Sequence, residues 1–389
     1  MSNDDGKRDG RGRDGTGRRR FLKGLGGLGV AGLAGCGGDG GDGTPTASPT
    51  DTATPTDAVT PTDTATPTDT ATPTDTATPT DTATPTATAT ATPREERTVV
   101  FLTGGPSHGF ATHSHMAGNT LLADRLEANT PNITTRITDR WPQDPESAFD
   151  DVDSIVMFFD GGGSHVANDH ASELQSLAEQ GVGMVPIHWS VEIHPDGPEE
   201  QFRSWVGGYF EFYWSVNPFW EATFDEFPAH PVAAGVEPFT LYDEWYYHMR
   251  FAEDMENVTP ILTDLPPDRS ITDRWSPGQD ASARGGNQAA YEAVVENDEP
   301  QHVAWTYEGE WGNRSFGFTG MHNHWNWGHD QVRKLLLNAI AWTAKAGVPE
   351  GGIDSETPTV DELLQNLDDP VPDDFDRSDV EAQLAEWNG

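Results

Sequence analysis

The sequence is poor in cysteine and in basic residues, and each shortage excludes a class of protein. A single cysteine among 389 residues excludes an internal disulfide and a cysteine-rich zinc site. Basic residues number 23 against 64 acidic ones, a formal charge of -41, so the chain repels phosphate backbones. We therefore exclude nucleic acid as a partner.

The first 36 residues have the pattern of an export signal. A basic stretch that contains Arg18-Arg19-Arg20-Phe21-Leu22-Lys23 precedes a Gly-rich apolar run that ends in Leu33-Ala34-Gly35-Cys36. That run is shorter than the about 20 apolar residues that a membrane-spanning helix needs. The first motif resembles the twin-arginine export signal, and the second resembles a lipobox, whose cysteine becomes the lipidated first residue. We expect Cys36 to be a lipid anchor, which places the protein outside the cytoplasm on the cell membrane and excludes thiol catalysis.

Residues 37–96 predict a disordered stalk. The segment repeats Thr-Pro-Thr-Asp-Thr-Ala and carries no large apolar side chains, so no core offsets the entropy of ordering it. Its frequent prolines favour an extended polyproline II conformation. The stalk would hold the following domain away from the membrane.

The charge balance indicates the environment of the protein. Removing residues 1–35 takes away eight basic and four acidic residues, which leaves 60 acidic residues against 15 basic ones. At molar salt the Debye length is about 3 Å, so most of the self-repulsion of such a surface is screened. This composition is typical of a halophilic protein and says little about the substrate.

Residues 97–352 alternate short apolar runs with helical patterns, which is typical of an α/β domain. The predicted strands are residues 98–103, 154–160, 183–188, 259–262, 302–307 and 314–319, and the predicted helices are residues 116–128, 169–180 and 328–346. This alternation predicts a mostly parallel sheet with helices on both faces. Ligands of such sheets bind beyond the carboxyl ends of the strands.

Two segments depart from the alternation. Residues 189–251 are rich in Trp, Tyr and Phe, and we interpret them as an insertion that walls a pocket. Residues 353–389 are an acidic C-terminal extension with two short amphipathic patterns, at residues 360–367 and 380–387. This extension predicts either peripheral helices or a mostly solvated tail.

Four groups of residues, taken together, resemble the trehalose-utilisation (ThuA-like) family. They are Gly105-Pro106-Ser107-His108, Ile187-His188-Trp189, DEWYYHMRF at residues 243–251 and GFTGMHNHWNW at residues 317–327. The resemblance covers nearly all of residues 97–350. It implies a fold similar to that of the class I glutamine amidotransferases, which is flavodoxin-like.

The sequence departs from the amidotransferases at the residue that performs their chemistry. Those enzymes carry a nucleophilic cysteine at a strand-to-helix elbow, and here His188 stands in the corresponding run. Cysteine-dependent glutamine hydrolysis is therefore excluded. Ser190 is an alternative nucleophile, which would need a base and an orienting acid within hydrogen-bond reach.

Histidines concentrate in the loops expected at the carboxyl ends of the strands. All 13 lie between His108 and His329, and imidazole is suited both to proton transfer and to metal binding. Glu244 precedes an aromatic run, where burial would raise its pKa and make it an acid/base partner. The candidates for one shared catalytic pocket are His108, His188, Glu244, His322 and His324. We interpret His230, His248 and His302 as structural.

Two histidine pairs have a spacing that suits a metal. In His113-x-His115 and His322-x-His324 the alternate positions would point both rings to one side of an extended segment. These four residues are the metal-ligand candidates.

Aromatic and polar residues near the histidines predict sugar binding. Aromatic faces stack on sugar rings while polar side chains bind the hydroxyls. The substrate-binding candidates are Asp160, Arg250, Trp325, Asn326 and Trp327. The aromatics could instead only cover the sheet, and Arg250 could be an ordinary ion-pair partner.

These observations favour a carbohydrate-active hydrolase or isomerase, on a sugar or an oxidised (keto) sugar, that uses His/Glu acid–base chemistry and requires no cofactor. A non-catalytic sugar-binding lipoprotein and a metal-dependent hydrolase with a divalent metal are the alternatives. The expected partners are a carbohydrate or small-molecule substrate and the membrane, while the oligomeric state stays open. Asn132, Asn257 and Asn313 lie in Asn-x-Ser/Thr motifs and are candidate glycosylation sites.

Overall fold

The computed structural model describes residues 95–389. The predicted export signal, Cys36 and residues 37–94 of the predicted stalk lie outside the described residues. The strands are β1 (Arg97–Thr103), β2 (Ile133–Asp139), β3 (Ser154–Phe158), β4 (Gly183–Pro186), β5 (Gly208–Tyr209), β6 (Phe219–Phe224), β7 (Phe239–Glu244), β8 (Arg250–Phe251), β9 (Val258–Asp264), β10 (Gln301–Glu308) and β11 (Arg314–Phe318).

The α-helices lie between and after these strands. They are α1 (His115–Asn129), α2 (Pro145–Ala148), α3 (Ala167–Glu179), α4 (Glu199–Val206), α5 (Arg269–Thr272), α6 (Gln288–Tyr291), α7 (Asp330–Thr343), α8 (Val360–Leu363) and α9 (Arg377–Asn388). Short 3-10 helices at His188–Val191 and His324–Gly328 follow β4 and β11. None of the helices in residues 95–389 combines the length and the hydrophobicity that crossing a membrane requires.

A central sheet organises the domain. Its first four strands are parallel and lie in the order β2-β1-β3-β4. β11 lies beside β4, because Ile187 forms a parallel bridge with Phe318 and the Met184 amide donates to the Ser315 hydroxyl. β10 and β9 continue from β11 in antiparallel order. The predicted α/β fold with a central parallel sheet is confirmed, and its first four strands follow the flavodoxin-like order.

Both faces of the parallel sheet are buried, which explains why its strands read as continuous apolar runs. In β1 and β3, Phe101 and Val156 face the core under α1 and α7, while Leu102 and Met157 face the core under α3 and α4. Successive side chains of a strand point to opposite faces, so each strand contributes to both cores. The helices on both faces are therefore as predicted.

β2 was not predicted from the sequence, and β4 is shorter than predicted. β2 is the edge strand next to β1 and is mostly exposed, so it lacks the apolar run that marks the inner strands. β4 ends at Pro186, whereas the prediction ran to residue 188. It ends there because His188 has a φ of 56° and begins a 3-10 helix.

The C-terminal extension is packed onto the domain. Val360, Leu363, Val380 and Leu384 are buried in the same core as α1 and α7. The apolar positions of α8 and α9 thus find a partner surface, while most other residues of the extension are exposed. The peripheral helices are confirmed.

The three candidate glycosylation sites differ in accessibility. Asn132 and Asn313 are buried, and their side-chain amides donate to the carbonyls of Glu95 and Trp205. Asn257 is exposed in the turn before β9. Only Asn257 of the three presents its side chain to a modifying enzyme.

A glycine in the antiparallel part of the sheet leads to a stability prediction. Gly317 pairs with Trp305, and a Cβ at Gly317 would overlap the buried indole. Gly317→Ala is expected to lower the free energy of unfolding by about 1–3 kcal/mol through overpacking. Urea denaturation measures the change. The matched control is Gly351→Ala, where a Cβ meets open space, and an equal loss in both variants would contradict the packing argument.

Candidate functional site

Five polar side chains meet at one edge of the sheet because each lies at or after the end of a strand. His113 lies in the loop after β1, Asp160 follows β3, and His188 follows β4. Glu244 is the last residue of β7, which the aromatic-rich insertion contributes through the β6–β7 hairpin. His322 follows β11. These five side chains therefore meet beyond the carboxyl ends of the strands, where the sequence analysis expected ligands to bind.

Four of these side chains form an imidazole–carboxylate cluster, which we define as His113, His188, Glu244 and His322. The His113 Nε2 atom lies 3.0 Å from Nε2 of His188 and 2.9 Å from Nδ1 of His322. The Glu244 Oε2 atom lies 3.1 Å from Nδ1 of His322 and 3.5 Å from Nε2 of His188. One polar atom of each residue thus faces a common point.

Hydrogen bonds on the outer side of two rings fix their tautomers. Nδ1 of His188 lies 2.8 Å from the carbonyl oxygen of Thr319, which can only accept, so this nitrogen carries the proton. Nδ1 of His113 lies 3.2 Å from Oδ1 of Asp160, a carboxylate that also accepts. In the neutral rings, both Nε2 atoms therefore present lone pairs to the cluster.

Two lone pairs that face each other at 3.0 Å need a positive charge or a proton between them. Around a tetrahedral Zn²⁺ with Zn–N distances of about 2.0–2.1 Å, neighbouring ligand atoms lie about 3.3 Å apart. The four contacts given above, at 2.9 to 3.5 Å, bracket that value, and all four ligand atoms lie within 4.8 Å of one another. The Tyr246 hydroxyl lies 3.3 Å from Nε2 of His188 and is the other group that can donate to it.

Burial keeps the inner imidazoles neutral. It lowers the pKa of both His113 and His188 well below the usual value, and the neighbouring histidines lower it further. A desolvated ring surrounded by other rings disfavours the charged form. Neutral imidazole is the form that binds a metal ion.

Asp160 joins the cluster to a more exposed group of residues. Its Oδ1 accepts a hydrogen bond of 2.8 Å from the Ser107 hydroxyl and lies 3.5 Å from Nε2 of His115. The Ser107 oxygen is also 2.8 Å from Nδ1 of His108. The His108 ring is exposed and lies 3.7 Å from the His113 ring. His108 is therefore the imidazole nearest to solvent.

A second carboxylate, Asp243, shapes the loop that carries His322. It is fully buried and accepts hydrogen bonds from the amides of Met321 (2.5 Å), His322 (3.1 Å) and Asn323 (3.2 Å). Burial raises the pKa of Asp243, while the nearby His322 and the amide donors oppose the rise. The loop after β11 is thus built around one carboxylate.

A family model described as trehalose utilisation (ThuA) matches residues 99–343. The chain belongs to the ThuA family. The match includes every residue of the cluster and ends at the close of α7, so residues 344–389 lie beyond it. No functionally curated protein matches the chain.

Two solved structures of ThuA-like proteins are similar to this chain. The first, from Bacteroides uniformis, has 16% sequence identity and a TM-score of 0.44, over 66% of this chain and 94% of that protein. The second, from Parabacteroides merdae, has 15% identity and a TM-score of 0.43, over 68% of this chain and 98% of that protein.

The structure does not bring His324 to the cluster. Its Nε2 donates to the carbonyl of Leu363 at 2.7 Å, and burial lowers its pKa to about 4. The predicted shared direction of His322 and His324 fails because His324 begins a 3-10 helix and the segment is not an extended strand. His113 and His115 do share a partner, Asp160, although His115 begins α1.

The predicted substrate-binding residues Trp327, Asn326, Trp325 and Arg250 also lie apart from the cluster. Trp327 is fully buried against Phe158, and Asn326 is buried with its amide donating to the Tyr242 carbonyl. Trp325 is half-buried and stacks on Phe375, and Arg250 pairs with Glu211 and covers the Trp214 ring. Of the five candidates, only Asp160 contacts the cluster.

Ser190 has a structural environment. It is fully buried, and its hydroxyl donates to the carbonyl of Phe159 and accepts from the Phe159 amide, both at 3.0 Å. Within residues 95–389 these contacts involve neither an imidazole nor a carboxylate. The alternative of a serine nucleophile is therefore wrong for this arrangement.

Three residues of this site were not among its predicted catalytic residues. His113, which was named only as a metal candidate, is the residue that touches both other histidines. Tyr246 and Asp243 lie in the quoted DEWYY motif, but only Glu244 was chosen from it. The alternation along β7 was the available signal, because Asp243 occupies a buried position between two half-buried ones.

An open groove of about 670 Å³ between α2 and α3 is a separate feature. It is lined by apolar side chains such as Phe149 and Leu177 and by carboxylates such as Glu146 and Asp150, and no histidine lines it. The groove lacks the chemistry of the cluster.

The burial of Asp243 leads to a second prediction. Asp243→Ala would leave three amides of the His322 loop without their acceptor, and we expect the free energy of unfolding to fall by about 3 kcal/mol or more. Urea denaturation measures the loss. Glu221→Ala, on the exposed face of the paired strand β6, is the control and should change stability by less than about 0.5 kcal/mol. Wild-type stability in Asp243→Ala would show that the carboxylate does not hold the loop.

Proposed function

We propose that the ThuA domain is an enzyme that acts on a carbohydrate or an oxidised (keto) sugar, and that the imidazole–carboxylate cluster binds a divalent metal ion. The observation that carries the metal proposal is the approach of the His113 and His188 lone pairs at 3.0 Å, with Glu244 beside them. The substrate class rests on the trehalose-utilisation description of the family.

The residues of the cluster suit a divalent transition metal. Three imidazole nitrogens and one carboxylate oxygen are a ligand set that Zn²⁺ accepts, and other first-row metals share these ligand types. The Thr319 carbonyl and Asp160 bind the outer nitrogens of His188 and His113, as partners of metal-binding histidines commonly do. Such a metal would supply Lewis-acid polarisation of a substrate oxygen.

The more exposed residues would move protons. His108 borders the cluster and is open to solvent, so a substrate bound over the cluster would meet this ring. Ser107 links the His108 ring to Asp160 and would hold it in one orientation. We assign His108 as the candidate acid or base for abstraction of a proton beside a keto group, or for hydrolysis.

A metal-free acid–base enzyme is the second candidate. It is favoured by the 3.1 Å contact between His322 Nδ1 and Glu244 Oε2, which places a carboxylate in hydrogen-bond reach of an imidazole. In this alternative the proton shared within the cluster replaces the metal ion. His322 and Glu244 would then carry the chemistry predicted from the sequence.

Metal content distinguishes these candidates. Protein purified without chelators is expected to contain about one divalent metal ion per chain by elemental mass spectrometry, and His188→Ala should lose most of it because a buried ligand is removed. The control is His302→Ala, because the His302 ring contacts Thr263 instead of the cluster.

Turnover tests the role of His108. With oxidised disaccharides as substrates, His108→Ala should retain the metal and lose turnover by about 10²-fold or more.

Other outcomes would reject parts of this proposal. Wild-type metal content in His188→Ala would remove the metal site. Turnover that survives chelation but not His322→Ala would favour the acid–base candidate. Stoichiometric sugar binding without turnover would favour the non-catalytic sugar-binding lipoprotein.

We also propose that the ThuA domain is held outside the cytoplasm by a lipid on Cys36, because the twin-arginine-like and lipobox-like motifs stand in the required order. Cys36→Ser is expected to move the protein from the membrane pellet to the soluble fraction of its native host, as immunoblotting would detect. Thr46→Ser, in the stalk, is the control. Membrane association that persists in Cys36→Ser would refute the anchor.

A further inference from the structure

The C-terminal extension, residues 353–389, lies beyond the ThuA family match and is held to the domain at several points. The buried Arg333 side chain donates to the carbonyls of Ser355 and Glu356, both at 3.2 Å. Near the end of the chain, Asn388 accepts from the Asp330 amide and donates to the Gly328 carbonyl, both at 2.9 Å. The extension therefore crosses the domain as a strap that is fixed at both ends.

Between these fixed points the strap contacts the two segments that deliver the histidines. The ring of Phe375 lies 5.6 Å from that of Phe110, in the loop that carries His108 and His113. It lies at the same distance from the ring of Trp325, near His322, and stacks on it. The Leu363 carbonyl accepts the hydrogen bond from His324. The strap thus contacts both segments from one side.

The two segments are also joined directly to each other. The His113 amide donates to the His322 carbonyl at 3.1 Å, and the His324 amide donates to the Ala111 carbonyl at 2.9 Å. A displacement of either segment would therefore move His113 and His322 relative to His188, which lies on a separate loop.

The backbone of these segments is strained and needs support. Ala111, His113 and Met321 have φ values of 57°, 46° and 84°, in the left-handed region that costs a residue with a Cβ free energy. Such conformations persist only where the surrounding contacts hold them. The packing of Phe375 on Phe110 and Trp325 is one of those contacts.

The charges along the strap are consistent with its passing close to the site. Burial raises the pKa of Asp368, and the charges of Asp369 and Asp160 raise it further. Asp160 is the carboxylate bonded to His113, so the strap passes within electrostatic range of the site.

We propose that the C-terminal strap is a positioning element of the site, and that Phe375 is the residue through which it holds the His113 and His322 segments in register. Phe375 acts through Phe110 and Trp325 and is a positioning residue. The part of the proposal that concerns metal affinity rests on the proposed function, whereas the part that concerns the order of the two segments does not.

Phe375→Ala in the purified full-length chain tests the proposal, with Trp387→Ala as the matched control. Both residues are half-buried aromatics of the strap, but the Trp387 ring packs on the ring of His329, at the start of α7. Hydrogen exchange of the His113 and His324 amides is expected to accelerate by about tenfold in Phe375→Ala, and to stay within about twofold of wild type in Trp387→Ala. Phe375→Leu, which keeps an apolar side chain and guards against a fold defect, should give an intermediate acceleration.

The affinity for Zn²⁺ provides a second measurement, by competition with a chromophoric chelator. We expect a loss of about tenfold in Phe375→Ala, and no loss in Trp387→Ala, because the ligands would no longer be held in register. Wild-type exchange of both amides in Phe375→Ala, or equal acceleration in the two alanine variants, would overturn the proposal. If exchange accelerates in Phe375→Ala but not in Trp387→Ala, and the wild-type protein binds no Zn²⁺, the role of the strap is supported and only the metal site is rejected.

Discussion

The 3.0 Å approach of two imidazole lone pairs, on His113 and His188, is the constraint on which the rest of the site depends. Each ring is oriented from behind, His188 by the Thr319 carbonyl and His113 by Asp160, so neither can turn its N–H toward the other. Both are buried, which makes a charged ring costly. These neutral nitrogens, face to face beside a carboxylate, are the arrangement on which the proposed metal site rests.

Holding that arrangement requires backbone conformations that the chain would not adopt alone. His113, His188 and Met321 all have positive φ values, at a cost of about 1–2 kcal/mol each. The compensating contacts come from distant parts of the chain, such as the Asp243 carboxylate from the β6–β7 hairpin. The aromatic-rich insertion thus supplies contacts that hold the site, and the proposed role of the C-terminal strap is of the same kind.

The carboxylates that give the chain its negative charge are mostly different residues from those in the site. Most of the carboxylates in residues 95–389 are exposed, while Glu244, Asp243 and Asp160 are buried or half-buried and hydrogen-bonded. The same residue type is therefore common at the surface and also holds the geometry of the site inside. The net charge of -41 reflects the exposed carboxylates and says nothing about those in the site.

The sequence by itself determined the α/β class, the inner strands and the loops that carry His188 and His322, because apolar runs and helical spacing are local properties. The family-like motifs also pointed to these loops. Only the tertiary structure decided that His113 completes the cluster and that His324 and Trp327 face away from it. Which way a loop side chain turns depends on partners far along the chain, such as Leu363 for His324 and Asp160 for His113, and no local pattern encodes those contacts.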